Sequence, residues 1–429
     1  MKITKRPKTL ILLVISALVG GFYLFSLVLE DHEQNSIQRQ LQSRLDRRLQ
    51  ISRSLTEPLK NNTRPSELKI AIENTPETYK VNYTIDQRLQ NEAEKLLKQY
   101  RPDYGAVVMM DAKTGKILSM ASYERNPNLN TNLALRATYP AASVFKIVTS
   151  AAAIDKAGVT PAHNIHFNGG NYTLYRKNVM SDRINRWTRR ITLRDAFAQS
   201  INTAFGRLSL ENLNPEDLMN YANRFMFNQE IPTDFQVEMG ITVVPNEKGY
   251  EMTQVASGFN RLTRMSPIQG AMIAGAIVNQ GKMVIPYIVE SLQNDQGEIV
   301  YNGETVDRGQ VVNPESATQL KILMSQTVHS GTSRRSFRPL TRDRRFQEIE
   351  VGGKTGHLSG DNPKGRVDWF VGYAYDEQDR KIAVSAITVN KEFWTVKSSH
   401  LAQTMFMKYF EPLTKRKVAN SRVKPQLSN

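Results

Sequence analysis

Ser143 and Lys146 stand three residues apart in Tyr139-Pro140-Ala141-Ala142-Ser143-Val144-Phe145-Lys146, ahead of an apolar run from Ile147 to Ile154 and of Gly158. Pro140 marks a helix start, the Ala-rich run favours helix and Gly158 suits a C-cap, so Ser143 is expected near the N-terminus of a buried helix. That spacing puts both side chains on one face, where the amine reaches the hydroxyl. A serine hydroxyl is a weak nucleophile at neutral pH, and a lysine can serve as its base once burial lowers the amine's pKa. Unpaired N–H groups and the positive dipole end of the helix favour an oxyanion over Ser143. The chemistry is that of acyl transfer. The pattern alone is weak, because it recurs at Ser66-Lys69 and Ser421-Lys424 in polar segments with no apolar helix behind them. A small residue beside a snorkelling lysine is the plain alternative, and partners must decide.

Two partners are present. Ser200-Ile201-Asn202, at the end of the helix-like Leu193–Gln199 segment, offers a hydroxyl and a carboxamide. Lys354-Thr355-Gly356 lies at the end of a strand-like run. A second hydroxyl can relay a proton to a leaving amine, an amide can hold a peptide backbone, and a lysine with a threonine can bind a terminal carboxylate. Gly356 lets a substrate backbone come close. A further Lys-Thr-Gly, at Lys113 to Gly115, falls at a hairpin tip, where turn geometry explains the glycine.

Elements to carry these residues can be read in order. Asp86 is a good N-cap for a helix with Leu89, Ala93, Leu96 and Leu97, ending at Tyr100. Ala106–Met110 and Ile117–Ala121 bracket a turn and predict a hairpin. The stretch from Thr160 to Arg190 is loop-like and basic. Helical periodicity returns at Leu193–Leu208, Tyr221–Phe227, Pro267–Ile277 and Pro314–Val328. Arg334, Arg335, Arg338, Arg342, Arg344 and Arg345 form a basic loop suited to an acidic partner or simply to solvent. Three β-branched and aromatic strands follow at Ile349–Gly356, Trp369–Ala374 and Ile382–Val389, with Ser399–Tyr409 expected as a covering helix.

Composition narrows the classes. With 429 residues, 40% of them hydrophobic, the chain can build one large or two ordinary cores. No cysteine is present, which excludes disulfides, thiolate catalysis and Cys-ligated zinc. His163 and His166 lie in a loop without a neighbouring carboxylate, so neither a metal nor a cofactor is expected. The net charge of +16 comes without a phosphate loop or an aromatic-basic module. An acidic polymer and anionic lipid, rather than nucleic acid, are its expected neighbours. Thr9 to Leu29 is apolar over about 20 residues, ~30 Å as a helix, enough to span a bilayer. Lys2, Lys5, Arg6 and Lys8 precede it and Glu30, Asp31 and Glu33 follow, so the N-terminus is expected in the cytoplasm and the rest outside, periplasmic in a two-membrane bacterium. The segment exceeds the ~7 to 15 apolar residues of a cleaved signal peptide and has no Ala-x-Ala-like site.

Taken in order, Ser143-x-x-Lys146, Ser200-x-Asn202 and Lys354-Thr355-Gly356 resemble the penicillin-binding proteins and serine β-lactamases. The resemblance covers roughly residues 80 to 412 and includes Ser266-Pro267-Ile268-Gln269 and Trp369-Phe370-Val371-Gly372. It implies an α+β fold, a five-stranded antiparallel sheet flanked by helices beside an all-helical lobe. With the apolar run, the polar composition after it and the basic C-terminal stretch, the chain is expected to divide into cytoplasmic tail (1–8), transmembrane helix (9–29), polar juxtamembrane stalk (30–79), transpeptidase domain (80–412) and basic disordered tail (413–429). Ile37, Leu41, Leu45 and Leu49 give the stalk a narrow stripe that could meet another cell-wall synthesis protein, as could the arginine loop. By the same resemblance Ser143 attacks the D-Ala-D-Ala amide of a peptidoglycan stem peptide with Lys146 as base. Ser200, hydrogen-bonded to the amines of Lys146 and Lys354, passes the proton on and Asn202 holds the donor peptide. Lys354 and Thr355 face the carboxylate, the N–H groups of Ser143 and His357 form the oxyanion hole, and β-lactams inhibit.

The short spacer implies a DD-transpeptidase without a glycosyltransferase domain. A DD-carboxypeptidase or endopeptidase uses the same residues with water as acceptor. A β-lactamase or β-lactam sensor needs a deacylating base or a signalling segment, and neither declares itself. A non-catalytic scaffold of the wall machinery would not need Ser143, Lys146, Ser200, Asn202 and Lys354 intact. One position departs from the family, which usually has Thr or Ser where this chain has His357. Backbone donation survives that change but the hydroxyl is lost, so β-lactam affinity is expected to be altered. A penicillin titration in which His357→Thr changes nothing would refute this.

Overall fold

The computed structural model describes residues 46–422 except 73–74, 127–131 and 362–363. The span predicted over residues 9–29, the tail before it and residues 30–45 of the stalk lie outside the described residues. No helix among the described residues is long and apolar enough to cross a membrane.

The centre is the expected five-stranded antiparallel sheet, in the order Glu350–Asp361, Lys364–Tyr375, Lys381–Asn390, Tyr104–Asp111, Ile117–Glu124. Along Tyr104–Asp111 the side chains alternate between two cores, Ala106, Val108 and Met110 to one and Val107 and Met109 to the other. Both faces are covered, which is why this strand is apolar without a break. Helix Pro267–Val278 lies on one face, begun by the Ser266 side chain accepting from the Gln269 N–H at 3.2 Å, and every residue in it is buried. It sits close enough that a Cβ on Gly270 would fall 2.5 Å from Ser385 Oγ. The other face carries Gln87–Tyr100, capped by the Asp86 carboxylate, and Ser398–Arg422.

The helical lobe comprises Lys146–Asp155, Leu193–Ala198, Asn202–Asn212, Pro215–Arg224 and Tyr250–Ala256, with Pro314–His329 packed between it and the sheet. The stretch 160–190 is not wholly loop. Asn164–Phe167 pairs with Arg189–Thr192, and Arg176–Val179 makes one helical turn. Elements of four residues are too short for periodicity to reveal. The arginine-rich stretch is helical over Arg334–Arg342, because Phe337 and Leu340, three apart, are buried while the arginines face out. The expected tail at 413–429 is also corrected in its first part, since the backbone of the last helix runs on to Arg422.

The largest correction concerns the stalk. Residues 46–60 form a helix whose Arg48, Ile51, Leu55 and Leu59 are buried. Glu67–Ile72 and Thr75–Tyr83 then join Val289–Gln293 and Ile299–Asn302 in a second antiparallel sheet. Leu49, from the every-fourth-residue stripe, is half exposed. Arg48 Nη2 donates to the Pro286 carbonyl at 2.9 Å, and the buried Asp234 carboxylate accepts from the N–H groups of Ile288 and Val289 at 3.0 and 2.8 Å. Burial raises the Asp234 pKa to about 6. These residues are part of the folded body. Leu55→Ala is expected to lower stability by about 2–5 kcal/mol, read as a drop in the urea midpoint; a solvated stalk would leave it unchanged.

Candidate active site

Ser143 sits on a 3₁₀ turn, Ala142–Phe145, that runs directly into helix Lys146–Asp155. The tighter winding of a 3₁₀ turn aligns positions three apart, which brings the amine to the hydroxyl. Lys146 Nζ lies 2.7 Å from Ser143 Oγ, 2.8 Å from Asn202 Oδ1 and 2.6 Å from the Ser257 carbonyl. Those contacts account for all three directions of an amine. Asn202 Nδ2 donates to the Tyr172 carbonyl at 3.0 Å, which fixes the amide with its oxygen toward Lys146.

Lys354 Nζ donates to Ser200 Oγ at 2.9 Å and to the Thr355 carbonyl at 2.9 Å. Both amines are buried. Each lies 5.4 Å from an aromatic centroid, Lys146 at Phe205 and Lys354 at Phe197. Desolvation, and then the Lys354 charge, hold the Lys146 pKa well below its ordinary value, and desolvation brings Lys354 down to about 7. No carboxylate is among the bonded partners of either amine.

Three distant stretches converge here for identifiable reasons. Ala142 and Ser200, neither of them glycine, take left-handed backbone at φ 50° and 58°. The second marks the break between helices Leu193–Ala198 and Asn202–Asn212 and turns the Ser200 hydroxyl out of the helical path. Trp369 Nε1 donates to the Pro140 carbonyl at 2.8 Å and ties the sheet to the nucleophile turn. Gly356 stands where that turn crosses the sheet's edge strand, and a Cβ there would meet the Ala141 carbonyl oxygen at 3.2 Å. The close approach it permits is thus of the protein's own backbone.

The residues singled out from sequence therefore meet, with one difference in wiring. Lys146 is joined to Asn202 and the Ser257 carbonyl rather than to Ser200, and Ser200 is held by Lys354. Ser143, Ser200, Asn202, Thr355 and His357 line a cleft of about 580 Å³. Gly356 is buried against the nucleophile turn rather than in the cleft wall, and Thr355 Oγ1 pairs with Thr332 Oγ1 at 2.6 Å. Sequence reading missed Thr332, Ser257, Gly258 and the two phenylalanines. Phe197 and Phe205 lie three residues to either side of Ser200 to Asn202, a spacing that could have flagged them. The Ser257 carbonyl carries no side-chain signal at all.

Gly258 has φ +64°, and a Cβ on it would lie 2.0 Å from the Ala142 oxygen and 3.0 Å from the Ser143 nitrogen. Gly258→Ala is expected to push the nucleophile turn aside and slow acylation of Ser143 by about 10²-fold, measured with fluorescent penicillin; an unchanged rate would refute this account of the turn.

Residues 105–411 match the family model described as the penicillin binding protein transpeptidase domain. Stage V sporulation protein D of Bacillus subtilis is 29% identical over 292 residues, covering 64% of this chain and 43% of that protein. Peptidoglycan D,D-transpeptidase PbpA of Mycobacterium tuberculosis is 27% identical over 348 residues, 72% of this chain and 67% of its own length. The crystal structure of the Mycobacterium tuberculosis PBPA superposes with a TM-score of 0.62 at 25% identity, covering 78% of this chain and 82% of that one. With the serine, the two amines and the edge strand arranged as they are, the chain belongs to the penicillin-binding protein transpeptidase domain family.

Proposed function

We propose that the chain is a serine-type DD-transpeptidase that cross-links peptidoglycan stem peptides through an acyl-enzyme at Ser143, and that β-lactams inhibit it by acylating the same oxygen. The observation that carries this is the set of contacts around Lys146. Asn202 Oδ1 and the Ser257 carbonyl can only accept hydrogen bonds, so a neutral amine spends both its N–H groups on them. Its lone pair is left for the Ser143 O–H, 2.7 Å away. Burial, by lowering the amine's pKa, supplies the neutral form that this role requires.

Ser143 Oγ attacks the carbonyl of the penultimate D-alanine while Lys146 takes the proton. The N–H groups of Ser143 and His357 stabilise the oxyanion, the latter from a sheet-edge strand whose alternate N–H groups are free for a peptide ligand. The C–N bond breaks as the Lys354 ammonium passes a proton through the Ser200 hydroxyl to the departing D-alanine nitrogen. Thr355 faces the terminal carboxylate and Asn202 the donor backbone. An amine on a neighbouring strand then attacks the ester and loses a proton through Ser200 to Lys354, while Lys146 returns its proton to Ser143 Oγ as the ester bond breaks. The name of the PbpA relative and the basic surface around Arg176, Lys177, Arg183, Arg186 and Arg190, suited to an acidic polymer, support this reading. The apolar run at residues 9–29 with lysines before it and acids after it supports an anchored chain whose folded body lies outside the cytoplasmic membrane. The folded body begins by residue 46, within the stretch that sequence alone assigned to a stalk.

Ser143→Ala is expected to abolish labelling by fluorescent penicillin, and Lys146→Met to slow acylation by about 10²–10⁴-fold; a labelled Ser143→Ala chain would sink the proposal. The pH profile adds a sign. Only neutral Lys146 is active, so the rate falls as acid protonates it, and the Lys354 charge keeps that protonation at low pH. Lys354→Met should move the acid limb of the acylation profile to higher pH.

A further inference from the structure

One wall of the cleft carries charged groups that the acyl-transfer steps leave unused. Asp368 is only 2% exposed, directly opposite His357 on the neighbouring strand, with Oδ1 2.5 Å from His357 Nε2. Its Oδ2 accepts from the Ser398 N–H at 2.8 Å, which anchors the backbone next to Lys397. Lys397 Nζ stands 3.3 Å from the same His357 nitrogen and 3.9 Å from the centroid of Trp394, whose ring meets the imidazole edge-on at 5.8 Å. His357, Asp368 and Lys397 line the cleft that holds Ser143 and Thr355.

A buried carboxylate on the wall of a cleft repels an anionic ligand unless a cation stands in front of it. Lys397 is that cation. Its stem is exposed, but the face of Trp394 holds its head beside the His357–Asp368 pair, so little rotamer freedom remains to be lost when a ligand arrives. An ammonium also keeps three rotatable donors to turn toward a new acceptor. Asp368 spends its oxygens on His357 and Ser398, so it orients this wall and does not itself meet the ligand.

We propose that Lys397, seated between Trp394 and His357 in front of Asp368, is a specificity-determining residue that recognises the terminal carboxylate of the donor peptide and of β-lactams. The proposal rests on the acyl-transfer reading of Ser143. Arg335, exposed on the same cleft, is a second cation among its lining residues.

The test compares acylation of the full chain by penicillin G and by its methyl ester, which keeps the β-lactam and removes the charge. The native chain is expected to prefer the acid. Lys397→Met should slow the acid by about 10- to 100-fold and leave the ester within a few-fold, so the preference collapses, while Lys397→Arg keeps it. A Lys397→Met chain that slows acid and ester equally, or neither, overturns the proposal. Failure of the native chain to be acylated by either compound overturns the acyl-transfer reading, and this proposal with it.

Discussion

Two lysine amines held out of water beside a serine set the terms for the rest of this structure. An amine whose pKa falls from 10.5 to about 7, as that of Lys354 does, loses on the order of 5 kcal/mol of preference for its charged form. Lys146 is pushed the same way and also feels the charge of Lys354. Pairing either with a carboxylate would relieve the penalty and hold that amine in its charged form. Hydroxyls, a carboxamide, backbone carbonyls and the faces of Phe197 and Phe205 surround them instead, groups that satisfy an amine without fixing its charge. Such a site works against folding, and the stability must come from elsewhere in the body.

That stability comes from packing that also does the positioning. The sheet is covered on both faces, by Pro267–Val278 on one side and by Gln87–Tyr100 and Ser398–Arg422 on the other, so its edge strand can carry Lys354 and Thr355 on a rigid support. The nucleophile turn is clamped between that strand and the Ser257-Gly258 backbone, and the Trp369 indole holds its start. Asn202 is held in turn by the Tyr172 carbonyl, so the amide that directs Lys146 is itself directed. Each reactive side chain is therefore fixed by at least one contact made far away in sequence, and small steric changes at Gly258 or Gly356 act directly on geometry at Ser143.

The second sheet and the helix over residues 46–60 extend the same body toward the N-terminus. Asp234 accepts from the Ile288 and Val289 N–H groups where the Val289–Gln293 strand of this sheet begins, and Arg48 of the helix donates to the Pro286 carbonyl. A composition rich in Gln, Arg and Ser concealed this layer, because a helix that buries one narrow face needs only Ile51, Leu55 and Leu59 at the right angles. The arginine-rich helix hid for the same reason behind Phe337 and Leu340. The dense charge at both places is real, but it lies on the outward faces of ordered elements.

The sequence by itself determined what depends on local pattern. The β-branched and aromatic runs of the strands, the Asp86 cap and the three motifs that the fold brings together were legible, because composition, capping chemistry and side-chain reactivity are properties of neighbouring residues. Tertiary structure alone decided which amine serves which hydroxyl, since the distance from Lys354 to Ser200 depends on how a sheet packs against a helical lobe. It also decided that backbone carbonyls at Ser257 and Thr355 would complete the shells of the two amines, for a carbonyl is common to every residue and leaves no mark in a sequence. The grouping of His357 with Asp368, Trp394 and Lys397 is of the same kind, because strand register and the following turn bring together residues that no local pattern relates.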